Sequence, residues 1–269
     1  MKLSIPELLS CSETSEIVAK FATPASDKGW AESLATKGFV FPRAHASSCM
    51  GWIWCQWLLE TDVSVVRERA EFFVSRGLKI RELPSDQRMR SIYDLYLLHV
   101  AIFACNSKLL LKTAKLVDVA VSNTPKTDLN YGESYAAACC GMLKYWILGD
   151  EAKCRQQFDL IWSAYRGPTY RGAPKPLIVP WLKKDWNAFT KNQKKDFEKL
   201  WSQARKHGTV QKKTKDTDLV ALRKIDVQQI WCWAHCGMSL LAYRFYGIEV
   251  ATDSLWFPAH ALKCVDRNA

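Results

Sequence analysis

Apolar residues recur every three or four positions through most of this 269-residue chain, and no stretch shows the sustained alternation of a β-strand. A period near 3.6 buries one side of an α-helix, whereas a half-buried strand needs a period of two. The pattern is clearest in "PSDQRMRSIYDLYLLHVAIFACN", where Ile92, Leu95, Tyr96, His99 and Phe103 line one side of a helix beginning after Pro84. "SKLLLKTAKLVDVAVS" follows almost without a loop, which predicts an antiparallel helical hairpin. After "NTPKTD", the segment "YGESYAAACCGMLKYWILG" offers Ala136, Ala137, Ala138 and Gly141 for close helix approach. It should end at Gly149 and return as "DEAKCRQQFDLIWSAY". Upstream, "SETSEIVAKF" reads as a short opening helix with Ser12 as its cap, and "SSCMGWIWCQWLLE" as a second helix. "DVSVVRERAEFFVSRG" reads as a third, capped by Asp62 and stopped by a left-handed Gly77.

The expected fold is therefore all-α, a set of packed antiparallel helical hairpins. The two hairpins are each roughly 35 residues, the size of tetratricopeptide units, but share no consensus, so true repeats are not expected. Four prolines and two glycines between Arg166 and Trp181 predict an irregular central loop, and the prolines of "PLIVPW" confine it to an edge or loop. The expected organisation is a hairpin region over 1–165, an irregular connection over 166–181 and a basic helical region over 182–269. The alternative is that all three belong to one continuous domain.

No apolar run approaches the roughly 20 residues that a bilayer requires. "MKLSIPELLSC" superficially mimics a lipoprotein signal, but Pro6 and Glu7 interrupt its apolar stretch, so it reads as the start of the mature protein. The ten cysteines are scattered through apolar helical runs, as in "YAAACCGMLKYW". Free cysteine packs as a small hydrophobe, and adjacent Cys139 and Cys140 point to different helix faces. A reduced, cytoplasmic protein is the expectation. The 12 tryptophans need either a core or a partner to cover them.

"IWCWAHCGMSLLAYRFYG" concentrates the reactive side chains. Cys232 and Cys236 share a helix face, and His260 and Cys264 repeat the same spacing, a set that tetrahedral zinc would accept. Structural zinc, however, sits on knuckles and turns, and Ile230, Trp233, Met238, Leu241 and Phe245 around the first pair call for burial. The preferred reading makes these cysteines core thiols, with no metal and no cofactor. His235 and Cys236 are adjacent and so do not face each other on a helix, which removes a local Cys–His nucleophile. His99, on the apolar side of its helix, reads as a hydrogen-bonded core histidine. The chain has no phosphate-cradling glycine loop, no G-x-S-x-G elbow and no H-E-x-x-H, so an enzyme is not expected.

Charge points to partners. Between Trp181 and Asp216 eleven lysines and arginines face four acids, placing seven of the net +11 charges in 36 residues. Tyr165, Tyr170, Trp181, Trp186 and Trp201 are interleaved with them or lie just ahead. Such a field attracts phosphates, anionic lipid or an acidic protein surface. A nucleic acid would use lysines for the backbone and rings for the bases, though no recognition motif accompanies them.

The segment "MSLLAYRFYGIEVATDSLWFPAHAL" runs from an apolar helix through Gly247 and a short turn to Asp253, then to Trp256-Phe257-Pro258 ahead of a last short helix. It resembles the closing segment of the all-helical immunity proteins of bacterial polymorphic-toxin and type VI secretion systems, and "YAAACCGMLKYWILGD" is similar in kind. The resemblance implies a non-catalytic protein that binds a cognate effector toxin and blocks it; with no apolar run long enough for a bilayer, no membrane partner is expected. It carries over no site residues. A basic chain also departs from the acidic character common among partners of nuclease toxins. Candidate anchors for the partner are Tyr165, Arg166, Tyr170, Arg171, Trp181 and Trp186. The alternative is a helical adaptor or nucleic-acid-binding protein using the basic 181–216 stretch.

Overall fold

The computed structural model describes residues 49–54, 56–57, 60–80, 87–117, 131–164, 175–196, 233–250 and 257–265. They are helical almost throughout and contain no strand. The helices are α1 (49–54, continuing at 56–57), α2 (Val63–Ile80), α3 (Gln87–Phe103), α4 (Ser107–Leu116) and α5 (Tyr131–Ile147). They continue with α6 (Glu151–Ala164), α7 (Lys175–Leu182), α8 (186–196), α9 (Trp233–Tyr246) and α10 (His260–Lys263). By contacts the chain forms two units, one drawing on Gly51–Asp62 and Ala173–Cys264, the other chiefly on Val63–Gly172.

The second unit holds α2 to α6. Its centre is α3, which packs on α2, α4 and α5, while α5 and α6 form the most extensive pair. Of the expected face of α3, Leu95, His99 and Phe103 are buried and Tyr96 is half-buried, and Tyr93, Leu97 and Val100 beside them are fully buried. Ala137, Ala138 and Gly141 of α5 are buried as well, the small surface that lets neighbouring helices approach. Gly149 ends α5 as expected, at φ 75°. Its N–H bonds the Trp146 carbonyl at 3.1 Å and the Asp150 N–H bonds Tyr145 at 2.9 Å, the paired closure of a helix C-terminus. Asp150 then caps α6 by accepting the Lys153 N–H at 3.0 Å.

Two local expectations need correction. Gly77 does not stop α2, which continues to Ile80. A β-carbon there would lie 2.5 Å from Leu97 Cδ1 and 2.6 Å from Tyr93 Oη. Both neighbours are fully buried, so this glycine serves close packing of α2 on α3. Nor is the connection irregular through 181, because Lys175–Leu182 is helix with Pro180 inside it. Pro176 falls in the first turn, where its N–H would have no helical partner. Pro180 forfeits one bond, but Leu177, Ile178 and Trp181 are fully buried, and three such side chains outweigh it.

His99 is the core histidine expected. It is 2% exposed, its Nδ1–H donates to the Leu95 carbonyl at 2.8 Å, and its ring meets Phe103 edge-on. Cys105, Cys139, Cys140, Cys154, Cys236 and Cys264 form no disulfide and are buried. Burial pushes the Cys154 thiol up to about 12, and its Sγ donates to the Met142 carbonyl at 3.4 Å.

Candidate functional site

The unit containing α7 to α10 places a basic aromatic cleft at the junction of α8 and α9. Its first wall starts at the turn after α7. Lys184 is left-handed at φ 57°, and the Asp185 N–H closes α7 by bonding Pro180 O at 2.9 Å. Asp185 then caps α8, its Oδ1 accepting the Ala188 N–H at 3.0 Å. This cap fixes Trp186 at the start of α8, with Thr190, Lys191 and Lys194 following one and two turns on.

The second wall is the end of α9. Gly247, at φ 69°, bonds Tyr243 O at 2.8 Å, and the Ile248 N–H turns back toward Ala242 O at 3.4 Å. The "YGI" turn thus brings Gly247, Ile248 and Glu249 opposite Trp186 across a cleft of about 620 Å³. Tyr246 lies against Trp186 with ring centres 4.9 Å apart, and Lys184 Nζ stands 5.5 Å from the Tyr246 ring. Phe245 and Tyr246 are 44% and 41% exposed.

A buried polar set pins the two helices beneath the cleft. Gln193 Nε2 donates to the His235 carbonyl at 3.3 Å and to Ser239 Oγ, and Ser239 Oγ donates to the same carbonyl at 2.8 Å. His235 Nε2 is 3.6 Å from Asp196 Oδ2. These contacts join α8 to α9, and two turns back along the same side of α8 Trp186 meets Phe189 edge-on at 6.2 Å. The lysines at 183, 184, 191, 194 and 195 are all exposed. Glu249 is the exposed acid within the cleft lining. Chemically the cleft offers flat apolar rings edged by cations, a surface for an anionic group attached to something apolar.

Of the expected anchors, Tyr165, Arg166, Tyr170 and Arg171 lie outside the described residues. Trp181 is fully buried beneath α7 and cannot reach a partner, which removes it from the set. Trp186 remains. Sequence reasoning passed over Tyr246 as a contact residue and assigned Phe245 to the core. Phe245 stands four residues after buried Leu241 but one residue from the end of α9, and there it is 44% exposed. The lysines were visible only as charge, without a cleft to organise them.

Of the four zinc candidates, Cys232 is outside the described residues. Cys236 and Cys264 are buried, and His260 Nε2–H donates to the Thr61 carbonyl at 2.9 Å. Among the described residues no three potential metal ligands come together. No described helix is long and apolar enough to cross a membrane. No family model, curated protein or solved structure matches the chain.

Proposed function

We propose that this protein is an immunity protein that binds a cognate bacterial effector toxin and blocks it, acting by contact and not by catalysis. The observation that carries the reading is the cleft itself: the "YGI" turn, central to the resemblance, forms one wall and presses Tyr246 onto Trp186. Half-buried Trp186 lines the cleft and exposed Tyr246 packs against it, and tryptophan and tyrosine are the side chains that dominate protein–protein affinity. The lysine edge selects an acidic face on the toxin and speeds its encounter.

The test has two parts. The open reading frame directly upstream is expressed alone and together with this chain, and growth is expected only with both. Persistent arrest with both, or no arrest at all, removes the immunity reading. With an inactivated toxin, Trp186→Ala combined with Tyr246→Ala should cost about 2 kcal/mol or more in calorimetric affinity. Unchanged affinity would move the docking surface elsewhere.

The basic 181–216 stretch supports a nucleic-acid reading as well, because Lys184 stands over the Tyr246 ring and Lys191 and Lys194 line the cleft beside Trp186. Affinity for DNA or RNA that falls steeply with added salt would favour it over the protein partner.

A further inference from the structure

The other unit carries a second surface of mixed character, built on α4 and the α5–α6 turn. The inner face of α4 buries Leu109, Leu110, Thr113 and Ala114. Its outer face exposes Lys108, Lys112 and Lys115, with Leu111 42% and Leu116 47% exposed at the two edges of that stripe. The helix contains no acidic residue. Val117 closes it, and the Val117 carbonyl accepts a 2.6 Å hydrogen bond from Lys144 Nζ of α5. That bond makes the patch continuous with Tyr145, whose ring centre lies 5.8 Å from Lys144 Nζ and 5.4 Å from Lys153 Nζ. Lys153 is in turn paired with Asp150 at 2.9 Å.

We infer that this α4 face is a docking surface for an acidic segment of a partner protein that carries two apolar side chains to seat on Leu111 and Leu116. The inference goes beyond the proposed function and stands without it. Charge complementarity selects the occupant. A second copy would bring cations to cations in a chain of net charge +11. A nucleic acid would satisfy the lysines and leave both leucines in water. A bilayer surface demands a broad apolar face, and the other side of α4 is committed to the core. Leu111 and Leu116 are roughly 7.5 Å apart along the helix axis and about 140° apart around it, so the segment would cross the lysine stripe with one apolar side chain at each edge.

The experiment uses the full chain and a short fluorescent peptide of alternating glutamate and leucine, with a serine-for-leucine peptide as control, read by anisotropy. Binding about tenfold weaker in Leu111→Ser/Leu116→Ser and in Lys112→Ser/Lys115→Ser, with a weak control peptide throughout, is the expected result. All four positions are exposed, and circular dichroism verifies each fold. Trp186→Ala/Tyr246→Ala should bind the peptide as the parent does, and loss there instead would assign the peptide to the cleft and overturn the inference. Equal binding by the α4 variants overturns it too. So does a loss in those variants seen only with duplex DNA or with phosphatidylserine vesicles.

Discussion

His99 carries a cost that its core position hides at neutral pH. Burial pushes its pKa down to about 4, against the hydrogen bond to Leu95, which favours the charged ring. Between that value and the unfolded value near 6.5, the unfolded chain holds a proton that the folded chain refuses. Stability therefore rises with pH across this window and is lost as pH falls. From about pH 7.5 to about pH 5.5 this one site should remove about 1 kcal/mol. His99→Asn keeps a donor near the Nδ1 position and abolishes the titration. Urea unfolding of both proteins at both pH values should show the parent losing about 1 kcal/mol more than the variant, and parallel losses would contradict the assignment. The sequence exposed this residue because its neighbours at three- and four-residue spacing are apolar. It misled at Trp181, which shares a face with Leu177 and Ile178 and goes inward with them. That spacing carried the information, but four prolines argued against a helix there and so against using it.

Three helix ends among the described residues reuse one device. Glu60, Gly149 and Lys184 are left-handed, and each is followed by a residue whose N–H reaches five positions back: Thr61 to Gln56, Asp150 to Tyr145, Asp185 to Pro180. In every case a tryptophan stands three residues before the left-handed position, in "WLLET", "WILGD" and "WLKKD". Only "WILGD" uses glycine, so only that stop was legible from residue type. Glu60 and Lys184 adopt the conformation because the tryptophan-bearing helix before them is anchored and the chain must reverse. A left-handed non-glycine residue costs about 1–2 kcal/mol, and glycine loses an extra 0.5–1 kcal/mol of freedom on folding. Glu60→Gly should therefore stabilise by roughly 0.5–1 kcal/mol, net of those two effects. Gly149→Ala should destabilise by about 1 kcal/mol, although nothing lies within 4 Å of its new methyl group. Urea midpoints with unchanged slopes check both, and shifts of the same sign would refute the shared device. Gly77 is the converse lesson. A glycine near the end of an apolar run reads as a stop, yet here Leu97 and Tyr93 of α3 claim the space above it. Long-range packing of that kind leaves no local trace in the chain.

At the scale of the whole molecule the net charge of +11 is the property that residue counting conveyed most directly, and it acts on folding and on binding with opposite signs. Folding gathers like charges and is opposed by their repulsion, whereas an acidic partner is drawn in by the same field. What counting could not supply was the arrangement: lysines edging the Trp186–Tyr246 cleft in one unit and the leucines of α4 in the other. Raising ionic strength from about 0.01 M to 0.1 M shortens the screening length from about 30 Å to about 10 Å. The repulsion is long-ranged and should be largely screened, so the urea midpoint of the free protein should rise. Across the same range the association rate with an acidic partner should fall by about tenfold or more, while the dissociation rate, set by the aromatic contacts, changes little. Stopped-flow association and urea unfolding in one salt series measure both. If salt instead left the association rate unchanged, the lysine edge would have no part in recognition, and the rings of Trp186 and Tyr246 would have to act without it.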